Sequence, residues 1–433
     1  MKQTALRIFR ETLATIDIPA TIARKVNFTG SRLEVADFSA DLRNFTEIVA
    51  IAYGKAASPM AEGLINLLEP DFTPQGILVV PSAPPRALPG WKTFIGGHPV
   101  PTAESFAAGR AILERLARCG EQSFIFFLLS GGGSALVEQP LDPAITLEDF
   151  RQLNHTLVTC GAPIEEINAV RKHLSATKGG RLAAAAPASM KLTLGVSDVP
   201  DGQETALASG PTLPDPTTIA DAERIASKYG VVAKLPPSIH KMFERHELRE
   251  SPKKNDPAFA RAHFELLLGE HDLFHCAHHA TEREGCLSLC DSEAGSWPIE
   301  KAADHLLGLL EAQKKICGTR PAAVIADGEV SSPVTGNGIG GRNSAFVLAC
   351  VPKIAGKKIT VLSAGTDGID GNSPAAGAVA DGETLSRAQA AGLHPADYFR
   401  RSDAYNFFHR LGDAIVTGPT GNNLRDLRIL IAH

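Results

Sequence analysis

Apolar residues in this chain fall into two patterns of different period. Short, largely apolar runs at 48–52, 76–80, 124–129 and 191–196, mostly followed by turn residues, predict buried strands. Between them, stretches with apolar positions three and four apart predict helices over 59–68, 103–117, 147–159, 164–186 and 220–230. Leu6, Phe9, Leu13 and Ile16 share one face, with Arg7, Arg10 and Glu11 between them, so the N-terminus is expected to be an amphipathic helix rather than a secretory signal. Alternating strands and helices argue for parallel βαβ units. The proline- and charge-rich stretch 236–257 is expected to be a connection, after which strands resume at 264–268, 285–289, 322–326, 359–363 and 414–417, with a helix at 300–315. A chain of 433 residues exceeds one ordinary core. The expectation is therefore an α/β protein of two domains, 1–240 and 241–433, with a site in the cleft between them.

Composition narrows the function. With 44% hydrophobic and 21% charged residues the chain is an ordinary globular one, and a net charge of −5 lacks the basic footprint of nucleic-acid binding. The longest aliphatic and aromatic run, Phe124-Ile-Phe-Phe-Leu-Leu129, falls far short of the ~20 residues that span a bilayer. Seven scattered cysteines suit reduced thiols in the cytoplasm; only Cys286 and Cys290, near His275, His278 and His279, have a spacing that zinc could use. A homodimer is one candidate assembly.

Five strand-like segments end in small, glycine-rich or acidic residues: Tyr53-Gly54-Lys55-Ala56-Ala57, Ser130-Gly131-Gly132-Gly133-Ser134, Ser197-Asp198-Val199-Pro200, Ala326-Asp327-Gly328-Glu329 and Ser363 through Asp367 to Gly371. Ligands of open α/β sheets sit beyond such strand ends, which points to a phosphorylated ligand. The triple glycine lets backbone N–H groups close around phosphate oxygens, and Lys55 is a cation in a glycine turn. Gly340-Gly341-Arg342-Asn343 brings a loop guanidinium beside donor amides, a grouping suited to an oxyanion. Asn168, Arg171, Lys172, Ser175 and Lys178 would share a polar stripe on the helix expected over 164–186. Asp198, Glu329, Asp367 and Asp370 are candidate Mg²⁺ ligands or bases. No segment matches the P-loop pattern, and Gly336-Asn-Gly338-Ile-Gly340-Gly341 matches the dinucleotide fingerprint without the strand that should directly precede it.

Together with Gly97-His98-Pro99-Val100-Pro101, Ile167-Asn168-Ala169-Val170-Arg171-Lys172-His173-Leu174-Ser175, Ala208-Ser209-Gly210-Pro211-Thr212 and Thr417-Gly418-Pro419-Thr420-Gly421, these segments resemble the glycerate 2-kinase family in order over nearly the whole chain. The resemblance implies a larger Rossmann-like domain and a smaller MOFRL-type domain, with ATP, Mg²⁺ and glycerate meeting between them. It implies transfer of phosphate to the 2-hydroxyl of D-glycerate, giving 2-phosphoglycerate. Lys55 and Arg342 carry over as catalytic, with Asp198 positioning metal or accepting the hydroxyl proton. Ser130, Gly131, Gly132, Gly133, Ser134, Gly340, Gly341 and Asn343 are then expected on nucleotide or phosphate, Arg171 and Lys172 on substrate, and Glu329 and Asp367 on the metal. Asp201-Gly202 reverses the family's usual order, Ala345 replaces a usual glutamate, Asp327 a glycine and Asn422 a threonine. The competing expectations are an NAD(P)H-dependent hydroxypyruvate reductase, a name some relatives carry, and a non-catalytic metabolite sensor.

Overall fold

The apolar runs of the first half become the strands of one sheet in a computed structural model that describes residues 2–200 and 202–433; Asp201 lies outside the described residues. Its strands are β1 (Glu47–Tyr53), β2 (Gln75–Val80), β3 (Trp91–Ile95), β4 (Ser123–Ser130), β5 (Met190–Val196) and β6 (Ala262–Leu268), in spatial order β3-β2-β1-β4-β5-β6. The pairs from β3 through β5 are parallel. All eight residues of β4 are buried, as in a central parallel strand covered on both faces. Chain order reverses between β1 and β4, so their carboxyl ends flank the topological switch point where open sheets bind ligands. Against this sheet the helix Ala103–Leu116 buries Ala108, Ile112 and Leu116. A three-stranded antiparallel meander over residues 27–41 precedes it and was not anticipated.

Two expectations for this half are corrected. The helix from Ile164 stops at Lys172, and Gly179 and Gly180 at φ +57° and +80° bar any continuous right-handed helix from reaching 186. Ser175 and Lys178 therefore do not share a helical stripe with Asn168 and Arg171. Nor is 236–257 a bare connection: the helix Pro237–Glu244 buries Ile239, Met242 and Phe243 in a cluster with Phe150, Leu153 and Ile225.

By compactness, Ile18–Leu267 form one unit, and the described residues up to Asp17 join Leu268–His433 in the other. The expected boundary at 240/241 falls inside the first unit, because β6 adds to the sheet beside β5. The N-terminal helix Lys2–Thr15 packs on the helix Glu270–Arg283 of the second unit, where Arg7 Nε donates to Glu284 Oε1 at 2.8 Å.

The second unit holds β7 (Leu287–Asp291), β8 (Ala322–Asp327), β9 (Ile359–Gly365), β10 (Gly377–Asp381), β11 (Ala414–Ile415) and β12 (Asp426–Ala432), ordered β7-β8-β12-β9-β10-β11. Only β7 and β8 pair in parallel; the remaining pairs are antiparallel. The sheet is mixed because β12, the last strand, inserts between β8 and β9. Both neighbours therefore point the same way, and registers Asp327 with Leu427 and Gly365 with Asp426 bring three strand ends to one edge. No helix among the described residues is long and apolar enough to cross a membrane.

Candidate active site

At the switch point of the first sheet, the loops after β1 and β4 are fastened to each other. Lys55 N donates to Gly131 O at 2.9 Å and Ala56 N to the buried Ser130 Oγ at 2.9 Å. Gly54 sits at φ +126°, and a Cβ there would lie 2.1 Å from Ser130 Oγ, so only glycine admits this approach. Ser130 is thus a strut between the loops. Gly132 passes close to His98 and to the Lys55 side chain, and Ser134 Oγ lies 2.9 Å from Ser209 Oγ. Asp198 follows β5, whose last residue, Val196, pairs with Ser130.

The basic residues near this edge divide into spent and unspent. Lys172 Nζ meets the fully buried Asp215 at 3.2 Å, and Lys178 Nζ meets Glu138 at 2.7 Å with both side chains buried. Burial lowers the Lys178 pKa, partly offset by Glu138. Lys172, expected on substrate, is therefore committed to a structural pair. Arg171 differs: its Nε is buried without a hydrogen-bond partner among the described residues. Burial lowers its pKa against the pull of Glu138, as for a cation short of counter-charge.

In the second unit, Arg342 opens the helix Arg342–Ile354, so it is a helix residue and not the loop arginine expected from sequence. Its Nε donates to Asp426 Oδ2 at 2.5 Å, and its Nη2 reaches Asp426 Oδ1 at 3.3 Å and Glu329 Oε1 at 2.7 Å. Burial works against the Arg342 charge, yet Asp426 and Glu329 outweigh it and raise the pKa. The amides expected to hold phosphate here are engaged. Gly340 N donates to Asn372 Oδ1, Gly341 N to Ser344 Oγ, and Asn343 N and Ser344 N to the two oxygens of Asp370. Asp370, a candidate Mg²⁺ ligand from sequence, is buried as the cap of this helix. What this segment can offer a ligand is chiefly the Arg342 side chain.

Beneath Arg342, sequence reasoning missed a charged cluster supplied by β12 and its approach. Arg428, fully buried, donates to the carbonyls of Asp327 and Gly328, both at 2.8 Å, and thereby fixes the turn that carries Glu329. Arg425 pairs with Asp327 and, at 2.9 Å, with Glu270. Burial pushes the Asp327 carboxyl up to about 7 despite Arg425, and its Oδ1 has no hydrogen-bond partner among the described residues. An arginine inside the apolar run Leu427 to Ala432 was the available signal.

Glu329 pairs with Arg342, while Asp367 Oδ1 accepts from Ile369 N at 3.0 Å. Among the described residues, only Asp291, Glu293 and His305 bring three metal-ligating side chains within 4.8 Å of one another, so Asp198, Glu329 and Asp367 form no ready-made three-ligand cage. Cys286 and Cys290 are free thiols outside any such group. Between Asp327, where β8 ends, and Gly336 runs irregular chain, so the G-x-G-x-x-G match lacks its strand.

Comparison with known proteins identifies the family. Residues 4–244 match a domain of unknown function, DUF4147, and residues 322–426 match the MOFRL family. A D-glycerate 2-kinase of Thermotoga maritima is 33% identical over 89% of this chain and 91% of its own length. A protein of Agrobacterium vitis, provisionally named a hydroxypyruvate reductase, is 35% identical over 88% of this chain and 86% of its own. The crystal structure of a glycerate kinase from Thermotoga maritima superposes with TM-score 0.84 at 30% identity, covering 100% of this chain and 99% of that one. With likeness in sequence over most of its length and in fold over all of it, this chain belongs to the glycerate 2-kinase family and carries its MOFRL domain.

Proposed function

We propose that this kinase transfers the γ-phosphoryl group of MgATP to the 2-hydroxyl of D-glycerate, giving 2-phosphoglycerate and ADP. The observation that carries the reading is the fastened loop pair at the switch point, where Lys55 and the Ser130–Ser134 turn share hydrogen bonds. Phosphoryl transfer relies on positioning and charge neutralisation more than on an activated nucleophile. Lys55 would neutralise phosphate charge, with Gly131, Gly132 and Gly133 allowing close backbone approach. Arg171, short of a partner, would take the glycerate carboxylate. Arg342, its fork held by Asp426 and Glu329, would meet the transferring group, and Asp198 would position the metal or accept the hydroxyl proton.

The oxygen donors of Asp198, Glu329 and Asp367 suit Mg²⁺, which needs only one or two carboxylates beside phosphates and waters. When bound, the ion would supply charge neutralisation between phosphate oxygens. A coupled assay for ADP release over short hydroxy acids, with NMR of the product, tests the reading. Absence of ADP with D-glycerate, or oxidation of NADH by hydroxypyruvate in its place, would overturn it.

A further inference from the structure

Arg425, the residue before β12, has φ +87°, in the left-handed region that glycine occupies readily and other residues seldom do. Such a conformation persists only where its surroundings hold it, and here two sets of contacts do. The guanidinium, largely buried, pairs through Nη1 with Asp327 at the end of β8 and, at 2.9 Å, with Glu270 Oε2. The carbonyl accepts from Thr366 N at 3.1 Å and from Thr366 Oγ1 at 2.7 Å, and Thr366 Oγ1 in turn accepts from Leu424 N at 2.9 Å. Thr366 follows β9 and precedes Asp367. One strained residue therefore ties together the ends of β8, β9 and β12. Asp327 stands where the resembling family segment usually has glycine, which could make no such pair.

From this geometry we infer that Arg425 is a positioning residue for phosphoryl transfer, acting through its neighbour Asp426 on the fork of Arg342. The inference rests on the kinase reading, which puts Arg342 on the transferring group. Asp426, buried at the start of β12, presents its two oxygens to Arg342 Nε and Nη2. The rung between Gly365 and Asp426 is the last of the β9–β12 ladder, so beyond it the sheet no longer fixes the chain and the ties of Arg425 take over. Without them the backbone would relax toward an ordinary φ, turning Asp426 and the guanidinium it holds. A shift of about 1 Å at a reacting group is enough for a large loss of rate. Arg425 itself is spent on two carboxylates, so its effect on the reaction runs through Asp426 rather than through a contact of its own with a ligand.

The test measures kcat, both KM values and a thermal melt for full-chain variants, each repeated in an Arg342→Lys background. Arg425→Met removes the charge and should lower kcat about tenfold or more while both KM values stay within about twofold, as for a contact made only in the transition state. Arg425→Lys, which keeps a cation for Asp327, should retain more of the rate. Where Arg342 is already lysine the fork is gone, so Arg425→Met should cost little further kcat. Because Arg425→Met leaves Asp327 buried and unpaired, the double variant Arg425→Gly with Asp327→Asn gives a second measurement. It removes the strain and the orphaned charge together, and should lose kcat to the same extent with a smaller loss of Tm. Normal kcat in either folded variant, with only a lower Tm, would reduce Arg425 to a structural role and overturn the inference. Losses that multiply independently with Arg342→Lys, or a lysine no better than methionine, would overturn it too. Failure of the kinase reading is separately visible, as an unmodified protein that releases no ADP or an Arg342→Lys protein with unchanged kcat.

Discussion

Replacing Arg342 by lysine keeps one positive charge and removes the planar fork. The wild-type guanidinium meets Asp426 through Nε at 2.5 Å and Nη2 at 3.3 Å, with Nη2 also on Glu329 at 2.7 Å. An ammonium cannot reproduce that bidentate geometry. Hydrogen bonds to charged groups contribute about 1.5–3 kcal/mol each, but the second Asp426 contact is long and the side chain is 36% exposed, so solvent recovers part of the loss. The stability cost should be about 1–2 kcal/mol, lowering Tm by about 2–8 °C. From sequence, a loop arginine would leave Tm almost unmoved; the tie to Asp426 changes that expectation. If Arg342 stabilises charge on the transferring group, kcat should also fall at least ~100-fold, or about 2.7 kcal/mol. Steady-state kinetics in both substrates and a thermal melt measure the two effects. Unchanged kcat and KM would remove Arg342 from the active site, and an unchanged Tm would refute the structural role given to its fork.

Lys55→Met should lower kcat by at least ~100-fold if the ammonium neutralises phosphate charge; near-normal turnover would remove Lys55 from the chemistry. Gly54→Ala should destabilise the protein by about 1–3 kcal/mol through collision with Ser130, read as a lower denaturant midpoint, and an unchanged midpoint would contradict the packing described. Asp327 gives a pH signature: its carboxyl is raised to about 7 by burial, so between the ordinary carboxylate range and about 7 the folded protein holds a proton that the unfolded chain has lost. Its contribution to stability therefore falls as pH rises through that window, and Asp327→Asn should flatten the decline; parallel stability curves for the two proteins would show that Asp327 does not titrate there.

The sequence by itself determined the local elements and the chemistry at their ends. Apolar runs such as 124–129, short and bounded by turn residues, read as buried strands, and glycines with cations or carboxylates after them mark loops suited to ligands. Hence Lys55, the Ser130–Ser134 turn, Asp198 and Arg342 stood out in the sequence as candidates. Only the tertiary structure decided which charges are available, because pairing across long chain separations leaves no periodic trace. Lys172 is spent on Asp215, 43 residues away, whereas its neighbour Arg171 keeps an unpartnered donor. Asp370 looked like a metal ligand and is the cap of the helix that Arg342 begins. The order of assembly was equally hidden. The N-terminal helix packs with the second unit, and β12, last in the chain, inserts between β8 and β9, bringing Arg425, Asp426 and Arg428 beneath the loop of Glu329. Sequence patterns record what each segment must bury; which distant segment covers it is settled only when all the apolar faces and buried charges are satisfied together.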